Sequence, residues 1–222
     1  VVTSSDKSDD LLSEVLHEND IDYYRGSAND VLDRFYQAAK LYNPDHIVRL
    51  TGDCPLVDPK VVENVIRMHI DTNADYTSNT FPATYPDGLD VEVMKFSALE
   101  IAWKESELPS EREHVTAFIR NDKERFLHSN LEYSYDLSSY RWTVDESQDF
   151  EFVKKVYEKL YKENPAFNMN DIINYLDTNP ELAKLNAHFV RNEGLIKSFK
   201  EDEAYLIKKR KDRYKESNKL LE

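Results

Sequence analysis

Cysteine is almost absent from this chain: Cys54 is the single thiol among 222 residues. That excludes an internal disulfide framework and a cysteine-rich zinc site, and it fits a reducing, cytoplasmic setting. Glycine is nearly as scarce. Gly26, Gly52, Gly88 and Gly194 are the full set, and none lies in a glycine-rich turn of the kind that cradles phosphates. No hydrophobic run reaches the length of a membrane-spanning helix and no signal peptide opens the chain, so no membrane partner is expected. Positive charge is the minority sign, with 29 basic against 43 acidic residues and a net charge of −14. A nucleic-acid binder carries a basic stripe, and this balance argues against one. It also constrains any anionic ligand, because arginines or a metal ion must reverse the field locally.

What is present suffices for a folded domain: 40% of residues are hydrophobic and 12% aromatic. Val1 to Thr3 reads as a strand already under way, with no methionine before it, so a preceding segment is expected. Leu11, Leu12, Val15 and Leu16 share a helix face. Asp22 to Arg25 reads as a strand. Val31, Leu32, Phe35, Ala38, Ala39 and Tyr42 form a second amphipathic helix that Pro44 ends. His46 to Leu50 is a strand, expected to be central. Asp58 and Pro59 then cap and open a helix, and Asp75 to Asn79 is a further strand. This alternation predicts an α/β fold with helices on both faces of a mostly parallel sheet.

The rhythm then changes. Phe81 to Gly88 reads as a loop and Asp90 to Lys95 as a strand. Helices are expected over Ser97 to Glu105, Ser110 to Asn121 and Glu146 to Tyr161, and strands over Phe126 to Tyr133 and Tyr140 to Val144. From Asn168 the pattern is helical, giving a core domain over residues 1–165 and a helical extension over 166–222. The run Lys208-Lys209-Arg210-Lys211 reads as a solvated helix face.

Five segments can carry chemistry. In Arg49-Leu50-Thr51-Gly52-Asp53-Cys54-Pro55 a strand runs into Asp53, and ligands of open α/β sheets bind beyond the carboxyl ends of strands. In Arg141-Trp142-Thr143-Val144-Asp145 another strand ends in an aspartate before a helix. Either aspartate alone could be a turn or helix cap. Together they could share one Mg²⁺, which takes one or two carboxylates plus substrate phosphates. Asp87, Asp90 and Glu92 could hold sugar hydroxyls, the last two on one strand face. Arg112 could pair with an anion and His114 donate a hydrogen bond, although Ser110 and Glu113 also read as a capping box. Arg25, Gly26, Ser27, Asp33 and Arg34 form a strand, turn and capped helix that could wall a nucleotide pocket.

Taken in order, these segments resemble one family. The stretches RGSANDVLDRFYQAA from Arg25, VRLTGDCPLVDP from Val48 and DYTSNTFPATYPDGLDVEVMKFSALEIAW from Asp75 carry the resemblance. SEREHVTAFI from Ser110, LSSYRWTVDESQDFEFV from Leu137 and NPELAKLNAHFVRNEGLIKS from Asn179 continue it. The chain resembles the cytidylyltransferase-like family of the spore-coat polysaccharide biosynthesis protein F, whose relatives make CMP-Kdo and CMP-sialic acid. The resemblance implies a three-layer nucleotide-diphospho-sugar transferase fold with a mixed, mostly parallel sheet and a helical C-terminal tail. It implies that Asp53 and Asp145 are the magnesium-binding aspartates. Residues Arg25 to Arg34 then lie near the nucleotide, and Asp87 to Glu92 with Arg112 to His114 on the sugar side. It further implies CTP and a sugar or sugar acid as substrates, with Arg112 and Arg141 as candidate carboxylate partners. The resemblance also implies a homodimer built partly from the Phe81 to Trp103 region, since the relatives are usually dimers that use the matching insertion; Phe81, Tyr85, Leu89, Met94, Phe96 and Trp103, more apolar than an exposed excursion needs, support it. The family's basic, glycine-containing triphosphate loop has no counterpart here. A non-catalytic scaffold is therefore one alternative reading. A glycosyltransferase on the same fold is another, with Asp20-Ile21-Asp22 and Glu201-Asp202-Glu203 as the acidic triplets nearest its usual metal motif.

Overall fold

The computed structural model describes residues 1–191 and 193–219. In chain order the elements are β1 (Val2–Ser4), α1 (Asp10–Glu18), β2 (Tyr24–Gly26), α2 (Val31–Tyr42), β3 (His46–Arg49), α3 (Pro59–Thr72), β4 (Tyr76–Ser78) and β5 (Glu92–Lys95). They continue with α4 (Phe96–Glu105), α5 (Pro109–Glu113), α6 (Ala117–Asn121), β6 (His128–Asn130), α7 (Ser147–Glu163), α8 (Met169–Thr178), α9 (Pro180–Ala183) and α10 (Glu193–Lys219). The chain divides into two interleaved compact units. The first comprises residues 1–45, 96–123 and 192–222, and the second residues 46–95 and 124–191.

In the first unit β1 and β2 pair in parallel, Val2 opposite Tyr24 and Ser4 opposite Gly26. Helix α2 starts at Asp30, whose side chain accepts from the Asp33 amide at 2.8 Å and so satisfies one of the unpaired donors of the first turn. Asn43 ends the helix in the left-handed conformation, one residue before Pro44. The Tyr36 ring stacks on Trp103 at 4.2 Å and on Phe96 at 5.7 Å, tying α2 to α4. The helix expected over Ser110 to Asn121 is broken into α5 and α6, where Val115 takes a φ of 57°. That backbone is costly for a β-branched residue, and full burial of the Val115 side chain holds it.

In the second unit the sheet order is β3-β5-β4-β6. Strands β4 and β6 are parallel, and β5 is antiparallel to both β3 and β4. Thus β3, β4 and β6 run one way and β5 is inserted against them. The strand β3, expected to be central, pairs with β5 on one flank, and among the described residues no strand pairs with the other, so β3 lies at the sheet edge with His46 and Val48 exposed. The strand expected over Phe126 to Tyr133 is confined to β6. Tyr140 to Val144 is extended but makes only a bridge between Arg141 and Asp87.

The core of this unit is Val65 from α3, Leu89, Val91 and Val93 around β5, Trp142 ahead of α7, Phe152 and Val156 within α7, and Ile172 and Leu176 from α8. Helix α8 is thus part of this core, whereas α10 belongs to the first unit. Asp58 joins α3 to α8. Its carboxylate accepts from Lys60 N at 2.7 Å and from Met169 N at 2.8 Å, serving two helix starts at once.

Burial also corrects the apolar surplus read between Phe81 and Trp103. Tyr85, Leu89 and Met94 are buried in their own unit, and Phe96 and Trp103 are engaged by Tyr36, leaving Phe81 exposed at 47%. Among the described residues no helix is long and apolar enough to cross a membrane.

Gly88 has a φ of 107°, and a Cβ there would meet the Trp142 carbonyl carbon at 2.5 Å and the Thr143 nitrogen at 2.6 Å. Gly88→Ala therefore combines backbone strain with a clash against main chain. A loss of about 1–3 kcal/mol or more is expected, read from denaturant midpoints. An unchanged midpoint would contradict this packing.

Candidate active site

The loop after β3 and the segment before α7 meet through main chain. Val144 N donates to Asp53 O at 2.8 Å, and Thr143 Oγ1 donates to the same oxygen at 3.2 Å. This sets the Asp53 main chain against the segment that leads into Asp145, both in the second unit. Asp53 is exposed, and so is the Asp145 side chain at 54%. Asp87 feels the charges of both. Cys54, beside Asp53, is buried, and desolvation pushes its thiol up to about 12, so it offers no thiolate.

Arg141 organises this corner. Its Nε donates to Asp149 Oδ1 at 2.9 Å, and Nη2 donates to Asp149 Oδ2 at 2.8 Å and to Asp145 Oδ2 at 2.7 Å. Nη1 reaches Asp87 Oδ2 at 3.5 Å. Asp149 is fully buried, and it also accepts from the amides of Asp145 and Glu146 at 3.0 Å each and from Asn186 Nδ2 at 2.8 Å. Asn186 further donates to Arg141 O at 2.9 Å. Burial alone raises the Asp149 pKa, but the bonds from Arg141, Asn186 and the two amides outweigh it and hold the group at about 2. Arg141 is held above its usual value, chiefly by its bonds to Asp149 and despite desolvation. Its donors are committed to carboxylates, which leaves little for a substrate.

The sugar-side residues lie in the same unit. Asp90 Oδ1 accepts from Arg191 Nη2 at 2.5 Å, and Arg191 Nε lies 3.5 Å from Asp87 Oδ1. Burial drives Asp90 up to about 6 against the pull of Arg191, and burial likewise raises Asp87. Glu92 pairs with Arg49 across the β3–β5 ladder and accepts from Tyr76 Oη at 2.5 Å. Thr51 Oγ1 lies 3.1 Å from Cys54 Sγ, and Gly52 has open space where a Cβ would stand.

The remaining candidates lie in the first unit. Arg25 is engaged by Ser4 O, Asp6 O and the Asp10 carboxylate. Asp33 accepts from Trp103 Nε1 at 2.8 Å, and Arg34 donates to Ser27 O at 3.0 Å. Gly26 is required by close packing, since a Cβ there would stand 2.4 Å from Arg34 Cβ. Arg112 clasps Asp30 with Nε at 3.0 Å and Nη2 at 2.6 Å and donates to Trp103 O. His114 Nε2 lies 2.9 Å from Ser198 Oγ. The acidic triplets do not suit a donor-phosphate metal. Asp202 is buried on Ser110, and Asp20 follows the end of α1 with a φ of 54°.

Sequence reasoning missed Asp149 as the partner of Arg141, and it missed Asn186, Arg191 and Tyr76. The Asp149 signal was available, because a polar residue at the third position of a helix following an extended aspartate is a capping pattern. Arg191 and Asn186 come from a segment that pattern alone reads as surface.

The depressed Asp149 pKa fixes the sign of a pH effect. Its ordinary value is 3.8 and its folded value about 2, so its contribution is complete above the ordinary value and lost as pH falls towards the folded one. Urea midpoints of the native chain should fall between about pH 5 and pH 2. Asp149→Asn should be destabilised at neutral pH and show a shallower acid decline. Parallel curves would contradict the ion-pair account.

A profile of the cytidylyltransferase family matches residues 1–185. An uncharacterised protein of Methanocaldococcus jannaschii is 36% identical over 192 residues, which is 85% of this chain and 76% of that protein. The spore coat polysaccharide biosynthesis protein SpsF of Bacillus subtilis is 33% identical over 186 residues, 82% of this chain and 76% of its own. A solved cytidylyltransferase from Leptospira borgpetersenii serovar Hardjo-bovis superposes with a TM-score of 0.77 at 34% identity. That match covers 82% of this chain and 77% of the other. With its fold and most of its length shared, the chain belongs to the cytidylyltransferase family.

Proposed function

We propose that this protein is a cytoplasmic cytidylyltransferase that transfers CMP from CTP to a sugar or sugar acid for cell-surface polysaccharide synthesis, releasing pyrophosphate. The observation that supports the reading is the main-chain bond from Val144 N to Asp53 O, which ties the loop of Asp53 to the residue before Asp145 in a chain of this family. Among the described residues no group of three or more His, Cys, Asp and Glu is arranged as a metal cage. Two exposed carboxylates suit Mg²⁺, which keeps waters and substrate oxygens as its other ligands. Asp145 fits such a role: Arg141 fixes Oδ2, and among the described residues no hydrogen bond engages Oδ1. Magnesium bound by Asp53 and Asp145 would supply positive charge at the α-phosphate.

The protein's own part is positioning. Arg141 and Asp149 hold Asp145 in place. Arg49, locked on Glu92, brings a fixed cation beside the loop of Asp53, whose charge it feels. Asp87 and Asp90 present carboxyl oxygens to sugar hydroxyls, and Arg191 holds Asp90. Asp90, raised to about 6, is a candidate to accept the proton of the attacking sugar hydroxyl. Thr51 and Gly52 leave room for a phosphate near the backbone. In the first unit, Arg25, Asp33 and Arg34 are committed to structural bonds, and the Gly26 and Ser27 carbonyls accept from Ser5 N and Arg34, so this segment is proposed to act by keeping its own turn in shape. Arg112 and His114 likewise act by shaping α5. The working form is proposed to be a homodimer.

The test is pyrophosphate release from CTP, with other nucleoside triphosphates and a panel of neutral and acidic sugars as comparison. CTP should be preferred, and chelation of Mg²⁺ should abolish turnover. Asp53→Asn and Asp145→Asn should each lower kcat on the order of 10²-fold or more, with the fold retained by circular dichroism. Turnover indifferent to both substitutions would overturn the assignment. Asp90→Asn should remove the acidic limb of the kcat profile near pH 6.

A further inference from the structure

Helix α10 is docked along one stripe and bare along another. Asp202 is buried and receives Ser110 N at 2.9 Å and Ser110 Oγ at 2.6 Å at the start of α5. Ser198 donates to Glu113 Oε2 at 2.7 Å and lies beside His114, and Lys209 pairs with Glu107. Positions 198, 202, 205 and 209 therefore form the attached face, at the i, i+4, i+7 and i+11 spacing of a single helix stripe. About 100° round the helix lies a second stripe: Phe199, Glu203, Leu206 and Arg210, with Ile207 at its margin.

This second stripe is apolar at its centre and solvent-exposed, with Phe199 at 49%, Leu206 at 42% and Ile207 at 54%. It is also asymmetric in charge. Glu203 lies on one side of the Leu206-Ile207 pair and Arg210 on the other, and no ion pair engages either among the described residues. The flanking runs repeat the pattern, acidic at Glu201 to Glu203 and basic at Lys208 to Lys211.

We propose that α10 pairs with α10 of a second copy of this chain, antiparallel, about a two-fold axis between Leu206 and Ile207. A two-fold axis there sets residue i against residue 413 − i of the other copy. Leu206 then meets Ile207, and Glu203 meets Arg210, twice by symmetry. A parallel pairing would set Glu203 against Glu203 and Arg210 against Arg210. Glu201 and Asp212, which would oppose each other as like charges, lie on the far side of the helix. Such isologous pairing is the commonest form of self-association. The inference rests on the homodimer proposed above and names its surface, in place of the Phe81 to Trp103 region, where Phe81 alone of the six apolar side chains is exposed.

The test is sedimentation velocity of the full chain and three variants at matched concentration, with folding checked by circular dichroism. The native chain should be a dimer. Glu203→Arg and Arg210→Glu should each shift it to monomer, raising the dimer dissociation constant about tenfold or more. An equimolar mixture of the two variants should recover dimer, because one copy then carries two basic groups at these positions and the other two acidic ones, so both contacts join opposite charges. Leu206→Glu should be monomeric alone and in any mixture. A native dimer that persists in all three variants keeps the homodimer and overturns this surface. A monomeric native chain overturns both. Variants that dissociate but do not recover on mixing overturn the antiparallel register.

Discussion

The second unit depends on one buried ion pair, between Arg141 and Asp149. Removing either charge from water costs several kcal/mol, and the pair repays this only when every remaining donor and lone pair is satisfied. Here they are. Two parallel N–H···O bonds join the groups, two amides and Asn186 complete Asp149, and Asp145 and Asp87 take the other guanidinium donors. The Phe189 ring covers the guanidinium at 5.5 Å. Arginine is required for this, since an ammonium has no planar fork with which to hold two carboxylates at once.

The consequence is a division of labour among carboxylates. Asp149 is buried and structural, Asp58 joins two helix starts, and Glu92 is committed to Arg49 and Tyr76. Each is held by fixed partners, whereas Asp53 lies at the surface and Asp145 keeps one carboxylate oxygen clear of Arg141. Asp87 and Asp90 are intermediate: burial raises them, and Arg191 and Arg141 limit the rise.

The sequence was most legible where a local rule decides the outcome. Asp58-Pro59 at a helix start, the Pro44 stop and the amphipathic face of α2 depend on neighbours a few residues away. The ordered segments also carried the family, because glycine and aspartate at strand ends are constrained jointly over a long span. Long-range pairing was not legible. Nothing local in Glu92 to Lys95 says that this strand inserts antiparallel between β3 and β4. Arg141 and Arg112 each looked like a ligand for an anionic sugar, because an arginine in a polar segment shows its charge in the sequence but not its partner. Their partners, Asp149, Asp145 and Asp30, appear only once the chain is folded. The apolar run from Phe81 to Trp103 misled for the same reason: its rings were read as surplus when Tyr36 and the core already use them.

The central claim is that Arg141, anchored on Asp149, presents Asp145 beside Asp53 for a divalent cation. The direct measurement is Mn²⁺ binding, followed by electron paramagnetic resonance, in the native chain and in Arg141→Lys, with folding verified for both. Lysine keeps the charge but cannot hold Asp149 and Asp145 together. The account predicts Mn²⁺ affinity about 10–100-fold weaker in the variant, the range seen when a residue supporting a metal ligand is removed. Equal affinity in a folded Arg141→Lys chain would contradict it.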